Sequence, residues 1–353
     1  MASFRVAVIG GDGIGPEVIE QAVRVADKAL NKESHSLEWN HLPWSGDHYL
    51  KTGEMMPKNA WEILQQHDAI LLGAIGHPEV PDHITLHGLL LPMRRKFDQY
   101  VNLRPAYLFT GAPTPLKNQE PGSIDFLVYR ENTEGEYAPC GGRQYVGTEN
   151  EIAIQTSIFT RRGCERIIRA AFEAARKRPR KHLTSVTKSN AQQFSMVLWD
   201  EVYESVRVDY PDVTSQQLFV DACAMDLVRK PQTFDVLVAS NLFGDILTDL
   251  SAVITGSLGL ASSANINPDR AYPSMFEPVH GSAPDIAGQG IANPLAAILS
   301  SVLLFEHLGM EQGAKAIREA VENVLKAGKT LPPDLGGKAG TKEVGDAVLS
   351  AMG

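Results

Sequence analysis

Strand-like and helix-like patterns alternate from the start of this sequence. The apolar run FRVAVI at residues 4–9 predicts a buried strand. A helix follows that begins near Pro16, where a missing N–H costs nothing, and runs to about Leu30. The strand-like runs 37–42 and 68–76, with a helix near 57–66 between them, continue the alternation. This order of elements favours a mainly parallel sheet flanked by helices.

The middle of the chain has a different pattern. Two β-rich runs, 122–132 and 150–160, flank the glycine-rich segment PCGGRQYVG, which predicts a second, smaller α/β unit with antiparallel strands. The alternation returns with predicted strands at 182–188, 216–221 and 233–240 and a helix over about 191–206. After Pro294 the chain is largely helical, apart from a Pro/Gly-rich interruption at 330–340. We expect a larger domain formed by residues 1–100 and 251–353 and a smaller one formed by 101–250.

Charge and composition exclude several classes of protein. The formal net charge of −9 argues against an electrostatic nucleic-acid binder, and the one dense basic run, 176–182, is typical of a solvated helix end. The apolar run 296–305 is too short to span a bilayer, and the amino-terminal apolar run breaks at Gly10, too early for a signal peptide. No membrane or nucleic-acid partner is therefore expected.

The number and spacing of the cysteines indicate the kind of cellular compartment in which the protein is expected. Cys140, Cys164 and Cys223 are scattered and form no CxxC pair, and their odd number argues against a disulfide framework. A reducing compartment is favoured, so we expect a cytoplasmic protein.

The segment VAVIGGDGIGPEV (6–18) places a glycine-rich turn between the first strand and the first helix. The spacing of Gly10, Gly11, Gly13 and Gly15 does not match the G-x-G-x-x-G of a Rossmann fold, and the next strand does not end in a carboxylate. The sequence therefore predicts a strand–turn–helix unit that is not a Rossmann nucleotide site.

Two sets of charged residues could carry chemistry. Three arginines that converge would hold a di- or tricarboxylic acid, because the planar guanidinium binds a carboxylate bidentately. The candidates are Arg94, Arg104 and Arg130, which are otherwise read as surface residues.

Asp245 and Asp249 lie four apart in a helical pattern, and Asp221 lies where a strand passes into a helix. Three aspartates without a nearby His or Cys suit Mg²⁺ or Mn²⁺, although for the pair alone a solvated helix face is the favoured interpretation.

Two segments carry a resemblance to a known family. GDGIGPEV (11–18) and FEPVHGSAPDIAGQGIANP (276–294) resemble the metal-dependent β-decarboxylating dehydrogenases, which comprise the isocitrate, isopropylmalate, homoisocitrate and tartrate/D-malate enzymes. The likeness runs from about residue 4 to beyond PPDLGGKAGT (332–341). It implies a two-domain isopropylmalate dehydrogenase-like α/β fold, with NAD on the larger domain and substrate, metal and dimer contacts on the smaller one.

The resemblance assigns roles to the charged residues. Arg94, Arg104 and Arg130 fall on the positions that bind substrate carboxylates, and Asp221, Asp245 and Asp249 on the metal ligands. Tyr137 and Lys188 fall on the acid–base pair, with Lys188 and Asp221 supplied by the second subunit of a homodimer. The implied reaction is oxidation of a 2-hydroxy acid by NAD, followed by loss of CO₂ and protonation of the enolate by Tyr137. Mn²⁺ or Mg²⁺ would acidify the substrate hydroxyl, and K⁺ is a further cofactor to test.

The cofactor positions also follow from the resemblance. Ile14 and Ala74 would lie at the nicotinamide side, and the adenosine loop would comprise His280, Gly281, Ser282, Ala283, Asp285, Ile286 and Asn293. Asp285 and Ile286 stand where NADP-dependent members carry basic or aromatic residues. Because a carboxylate accepts hydrogen bonds from ribose hydroxyls and repels a phosphate, NAD is the expected cofactor.

The sequence leaves two branches of the family as candidates for the substrate. Gly88 and Leu90 replace the serine and asparagine of isocitrate enzymes, and the leucines at 89–91 resemble the isopropylmalate enzymes, which bind a branched alkyl group. These leucines could equally be a packed helix face. The segments RRKFDQYVNLRP and GDHYLKTGEMMP, with His83 and His87, look more like the tartrate/D-malate branch. We expect tartrate or D-malate, with 3-isopropylmalate as the alternative; a two-domain solute-binding protein and an NADP-dependent isocitrate enzyme are the rival classes.

Overall fold

A ten-stranded sheet runs through the whole chain in the computed structural model, which describes residues 2–353. Its strand order is β2-β1-β3-β12-β11-β4-β5-β10-β8-β9, and β6 and β7 form a separate two-stranded ribbon. The strands are β1 (Ser3–Gly11), β2 (Ser36–His41), β3 (Ala69–Ala74), β4 (Val101–Tyr107), β5 (Asp125–Glu131), β6 (Gly141–Gln144), β7 (Ile152–Gln155), β8 (His182–Thr187), β9 (Thr214–Phe219), β10 (Val236–Ala239), β11 (Ser262–Ile266) and β12 (Ser274–Pro278).

Helices cover both faces of this sheet. They are α1 (Gly15–Ala29), α2 (Gly46–Thr52), α3 (Ala60–Leu64), α4 (Asp82–Thr85), α5 (Leu91–Lys96), α6 (Arg161–Lys177), α7 (Ser195–Arg207), α8 (Val220–Arg229), α9 (Asn241–Ile254), α10 (Leu295–His307), α11 (Glu311–Ala327) and α12 (Thr341–Ala351). A five-residue π-helical turn, Leu86–Leu90, joins α4 to α5.

The sheet consists of two parallel blocks that run in opposite directions. Strands β2, β1, β3 and β12 are mutually parallel, as are β5, β10, β8 and β9. Strands β11 and β4 lie between the blocks, and every pairing from β12 across to β5 is antiparallel. We call this region the central joint. The predicted fold class, a mainly parallel α/β architecture that is not a Rossmann fold, is confirmed.

Local sequence explains most of the elements. Helix α1 carries Pro16 in its first turn, and α6 begins after Thr160, whose hydroxyl accepts a hydrogen bond from the Gly163 N–H at 2.9 Å. Helix α10 is buried on nearly all sides, so the apolar run at 296–305 is a core helix. In the part of the chain that the structure describes, no helix has both the length and the apolar character needed to cross a bilayer.

Two predicted elements differ from the structure. The helix expected near 57–66 is only the five-residue α3, and the β-rich run 150–160 contains only the four-residue β7. Strand β7 pairs with β6, whereas β5 joins the central sheet between β4 and β10. The antiparallel strands β11 and β4 at the centre of the sheet were not anticipated from the sequence.

Apolar side chains form separate clusters on the two sides of the joint. One cluster is built mainly from α1, α10, α11 and α12 against the first block, and a second from α6, α7 and α9 against the other block. A third cluster packs α3 and α5 on the opposite face of the first block. The domain boundaries near residues 100 and 250 stay a prediction.

The basic run after α6 is neutralised by acidic partners. Arg178 donates from Nε to the buried Asp235 at 2.5 Å, and the Asp235 carboxylate also accepts from the His182 N–H at 3.1 Å. Arg176 and Lys181 both lie within ion-pair distance of Asp212. The run therefore forms ion pairs with Asp212 and Asp235, while Arg176 and Lys181 stay partly exposed at the helix end.

Candidate active site

Polar residues concentrate on one face of the central joint. In an antiparallel pair, residues directly opposite each other point to the same face, and alternate residues along a strand share it. Glu277 lies opposite Ser263, Asn265 opposite Asn102, and Asn102 opposite Arg130. Register alone therefore places these side chains, with Arg104 two residues beyond Asn102, on a common polar face.

A cavity of about 610 Å³ opens over this face. Its wall combines residues of both blocks with residues of the π-helical turn, and it includes Ala74, Leu90, Arg94, Arg104, Arg130, Tyr137, Asp245, Glu277, His280 and Gly281. We call it the active-site cavity. The three predicted carboxylate-binding arginines thus line one cavity, although they come from α5, β4 and β5.

Asp245 on α9 is the centre of the charged network. One carboxylate oxygen, Oδ1, accepts from Arg130 and, at 3.3 Å, from Arg104; the other, Oδ2, accepts from the Tyr137 hydroxyl at 2.7 Å. Arg130 is oriented further by Asn241, whose Oδ1 accepts from its Nε at 3.0 Å and its Nη2 at 2.6 Å. The guanidinium of Arg130 also lies 5.4 Å from the centre of the Tyr137 ring.

The other two arginines are held by separate partners. Arg104 donates from Nη1 to the Thr248 hydroxyl at 2.6 Å. Arg94 donates to Glu277 at 2.8 Å, and the same Glu277 oxygen accepts from Asn265 at 2.7 Å. All three guanidiniums are buried, so each is fixed in place before any ligand binds.

The electrostatics of the site follow from burial and from the clustering of like charges. Burial, together with the neighbouring Arg104, lowers the pKa of Arg130 to about 9. Burial alone would raise the pKa of Asp245, but Arg130 and Arg104 outweigh it and hold that pKa below its usual value. Burial, and then the hydrogen bond to Asp245, raises the pKa of Tyr137 to about 12. Tyr137 is therefore protonated at neutral pH and can donate a proton.

The three predicted metal ligands are not brought together within one chain. Asp245 and Asp249 share a face of α9, and burial followed by the repulsion of Asp245 raises the pKa of Asp249. Asp221 lies elsewhere, exposed at the start of α8, where it accepts from Lys188 Nζ at 2.5 Å. Neither Lys188 nor Asp221 lines the active-site cavity. Among residues 2–353, no group of three His, Cys, Asp or Glu side chains is placed to hold a metal ion.

The glycine-rich turn supports the predicted cofactor loop from beneath. Gly11 and Gly13 have positive φ angles, and a Cβ on Gly13 would lie 2.0 Å from the carbonyl oxygen of Ser282. That carbonyl accepts from the Ile14 N–H at 2.8 Å. Asp12 accepts from the N–H groups of Gly46 at 2.7 Å and Gly76 at 3.0 Å, so its carboxylate holds the turn together and does not line the cavity.

The predicted cofactor residues divide into three groups. Ala74, His280 and Gly281 line the cavity, and burial lowers the pKa of His280, which favours a neutral ring. Ile14 beneath the loop and Ser282 within it are buried. Ala283 and Ile286 of the loop pack against the core, and Asp285 is exposed at the surface.

The side chain of Asn293 is hydrogen-bonded to other residues of the protein. Its Nδ2 donates to Asp334 at 3.0 Å, and its Oδ1 accepts from the Leu295 N–H at 3.0 Å at the start of α10. The Asn293 side chain therefore fixes the end of the loop, which leaves one amide hydrogen for a ligand.

Several residues of the cavity were missed by sequence reasoning. They are Glu136, Gln155, Asn241, Thr248 and Glu277, which line the cavity or hold its arginines; His87, noted only as a mark of the tartrate/D-malate branch, also lines the cavity. Glu277 stood inside the FEPVHG motif, and the alternation of β12 could have placed it on the polar face. Glu136 caps α9, because its carboxylate accepts from the Ser240 hydroxyl at 2.7 Å and the Leu242 N–H at 3.1 Å; no local pattern indicates such a contact.

The fold and this constellation of residues agree with comparisons to known proteins. The isocitrate/isopropylmalate dehydrogenase family model matches residues 5–348, and the chain belongs to this family of oxidoreductases. It is 49% identical to the D-malate dehydrogenase [decarboxylating] of Escherichia coli, covering 100% of this chain and 99% of that one. It is 50% identical to the tartrate dehydrogenase/decarboxylase of Pseudomonas putida, covering 99% and 98%. A crystal structure of isocitrate dehydrogenase from Methylococcus capsulatus superposes with a TM-score of 0.90 at 35% identity, covering 99% of both chains.

Proposed function

We propose that this enzyme oxidises and decarboxylates a small 2-hydroxy dicarboxylic acid, D-malate or tartrate, with NAD and a divalent metal ion. The observation that carries the proposal is the convergence of Arg94, Arg104 and Arg130 around Asp245 in the active-site cavity. Relatives at 49–50% identity over the full length carry the names of these two activities. The family membership also excludes the solute-binding alternative.

The chain's own residues account for binding and proton transfer. Buried guanidiniums would bind the substrate carboxylates bidentately and exclude water from them. Tyr137, protonated and pointed into the cavity, would deliver a proton to the carbon from which CO₂ has left. Bound NAD would supply the hydride acceptor.

The residues on α9 fit a divalent cation in part. Asp245 and Asp249 are two carboxylates on one helix face, and burial followed by the repulsion of Asp245 raises the pKa of Asp249. A cation with oxygen ligands, such as Mn²⁺ or Mg²⁺, would relieve that repulsion. The third predicted ligand, Asp221, must then come from another chain.

A second copy of the chain would complete the site. Large apolar side chains are exposed on α8 and α9 and near Lys188, among them Phe194, Met225, Val228, Ile246 and Val253. The β6–β7 ribbon likewise exposes Ile152 and Ile154. Exposed apolar surface of this extent is typical of a subunit interface. We infer a homodimer in which the partner's Lys188 and the partner's Asp221 reach the active-site cavity. Lys188 would then be the base, and a K⁺ requirement and a cytoplasmic location stay predictions.

Cofactor choice gives one prediction. The wild-type enzyme is expected to use NAD with a kcat/KM at least about a hundredfold above that for NADP, because the Asp285 carboxylate would repel a 2′-phosphate. Replacing Asp285 with lysine should narrow this ratio. Initial rates of reduction of each cofactor under matched conditions measure it, and equal use of both by the wild type would contradict the assignment.

Metal use gives another prediction. Asp249→Asn is expected to weaken the apparent affinity for Mn²⁺ about tenfold or more, since the loss of even an outer-shell partner has an effect of this size. NAD affinity should stay the same, because Asp249 lies on α9 and is not part of the 280–293 loop. Activity titrated with Mn²⁺ gives the first quantity and fluorescence titration with NAD the second. A variant with unchanged metal affinity would remove Asp249 from the ligand set.

The substrate itself is tested by direct comparison. The kcat/KM values for D-malate, both tartrates, isocitrate and 3-isopropylmalate should be highest for D-malate or a tartrate. The alternative substrate, 3-isopropylmalate, is favoured by one observation, since Leu86, Leu90 and Leu91 all line the cavity and could contact a branched alkyl group. A preference for 3-isopropylmalate would show that these leucines set the specificity.

A further inference from the structure

A second cavity lies behind the arginines. It measures about 200 Å³ and is enclosed by α9, α10, α11 and the end of β4. Arg104 and Val279 line both this cavity and the active-site cavity, so they form the wall between the two. We call it the posterior cavity.

The two long walls of the posterior cavity differ in chemistry. On one side α10 presents Leu299, Val302 and Leu303, and Leu260 extends this apolar surface. The opposite wall, on α9, carries a row of hydroxyl groups. Each donates its proton to a carbonyl of its own helix: Thr248 to Gly244 at 2.7 Å, Ser251 to Thr248 at 2.8 Å and Thr255 to Ser251 at 2.9 Å. The cavity therefore offers one apolar wall and one wall of oxygen acceptors. On α11 it also has Arg318 and Glu322, which are paired with Glu306 at 2.7 Å and with the Thr110 hydroxyl at 3.0 Å.

Arg104 supplies the positive charge at the inner end. Its side chain is only 8% exposed, and among the described residues its Nε has no hydrogen-bond partner. A single nitrogen, Nη1, bonds to Thr248 in the posterior cavity at 2.6 Å and to Asp245 in the active-site cavity at 3.3 Å. A buried guanidinium with an unused N–H group favours an anionic oxygen ligand.

The dimensions limit the ligand to a small molecule. An apolar cavity of ~150 Å³ holds benzene, which has six heavy atoms, so about 200 Å³ suits roughly eight. The two leucines of α10 require an aliphatic body. Arg318, the other cation of the lining, already pairs with Glu306 at 2.7 Å, so a second carboxylate on that body would be desolvated without a partner.

We propose that the posterior cavity binds a short aliphatic monocarboxylate. Its carboxylate accepts from Arg104, and its hydrocarbon body packs on Leu299 and Leu303. Binding draws Arg104 away from Asp245 and weakens the active site for its dicarboxylic substrate. This coupling rests on the proposed role of Arg104 in substrate binding, whereas the binding itself does not.

The test uses 4-methylpentanoate, which lacks the hydroxyl and the second carboxylate of a substrate. Its binding to the full-length wild-type protein is measured by calorimetry and saturation-transfer NMR, without any turnover. Leu303→Trp places an indole in the posterior cavity and should abolish binding. Ala252→Leu narrows the cavity from the α9 wall and should also abolish binding. It replaces Leu303→Trp in the test if that variant does not fold. Leu50→Trp makes the same replacement at an exposed leucine of α2 that lines neither cavity, and it should bind like the wild type.

Kinetics then test the coupling. Saturating 4-methylpentanoate should raise the KM for D-malate at least about fivefold in the wild type and in Leu50→Trp, and leave it unchanged in Leu303→Trp. Absence of binding to the wild type, or binding that survives in both cavity variants, overturns the proposal. Binding that is lost in those variants but has no effect on KM supports the cavity and contradicts the shared role of Arg104.

Discussion

Asp245→Asn is expected to lower kcat/KM by about a hundredfold to a thousandfold, the range found when a buried charge-stabilising contact is removed from an active site. The Asp245 carboxylate accepts from Arg130, Arg104 and Tyr137 at once. An asparagine offers one acceptor oxygen and turns an N–H₂ group toward a donor, so at least one of these contacts becomes repulsive. It also removes half of the negative charge that α9 presents to a cation.

Steady-state kinetics of the purified variant measure the effect, and thermal denaturation shows that the protein is folded. Asp346→Asn is the matched control, because Asp346 is an exposed partner of Arg24 on α12, far from the cavity. A variant at position 245 that keeps more than about a tenth of the wild-type kcat/KM would show that the network is not the catalytic centre.

Asp235→Ala is expected to destabilise the protein by about 1–3 kcal/mol, the cost of leaving buried donors without their acceptor. The Asp235 side chain is 1% exposed and accepts from Arg178 Nε at 2.5 Å. Its other oxygen accepts from the His182 N–H at 3.1 Å, at the first residue of β8. The substitution therefore removes one of the two acidic partners of Arg178, which keeps its ion pair with Asp125 at 2.9 Å, and leaves a backbone donor unpaired. The midpoint of urea denaturation measures the change.

Asp212→Ala provides the comparison for this result. Asp212 also pairs with an arginine of the same region, Arg176, but the pair is exposed to solvent. Exposed ion pairs are screened by water and salt, so its midpoint should stay close to that of the wild type. Equal shifts in the two variants would show that burial of Asp235 is not the cause.

Elements with a strong local pattern could be predicted from the sequence. The helix expected from Pro16 to about Leu30 is Gly15–Ala29, and the strand expected at 182–188 is His182–Thr187. Predictions of short elements were wrong, as for α3, because five residues show too little periodicity to define the ends of a helix. The central joint could not be predicted, since the pairing of β11 with β4 joins residues about 160 positions apart and no local signal encodes it.

The site residues that lie in recognisable sequence motifs could be predicted from the sequence. Arg94, Arg104, Arg130, Tyr137 and Asp245 converge as the resemblance implies. Lys188 and Asp221 pair with each other outside the cavity of their own chain. Contacts such as Asn241 to Arg130 come from packing between distant elements and have no signature in the local sequence.

The position of β12 has a consequence for biosynthesis. This strand lies between β3 and β11, so the first block is joined to the rest of the sheet only when residues 274–278 have entered it. A nascent polypeptide emerging from the ribosome can fold its middle segment early, yet Arg94 has no Glu277 to hold it until about three-quarters of translation is complete. Premature termination upstream of this strand removes Glu277 together with α10, α11 and α12, so the fragment should lack catalytic competence and leave the apolar faces of α1 and β3 uncovered.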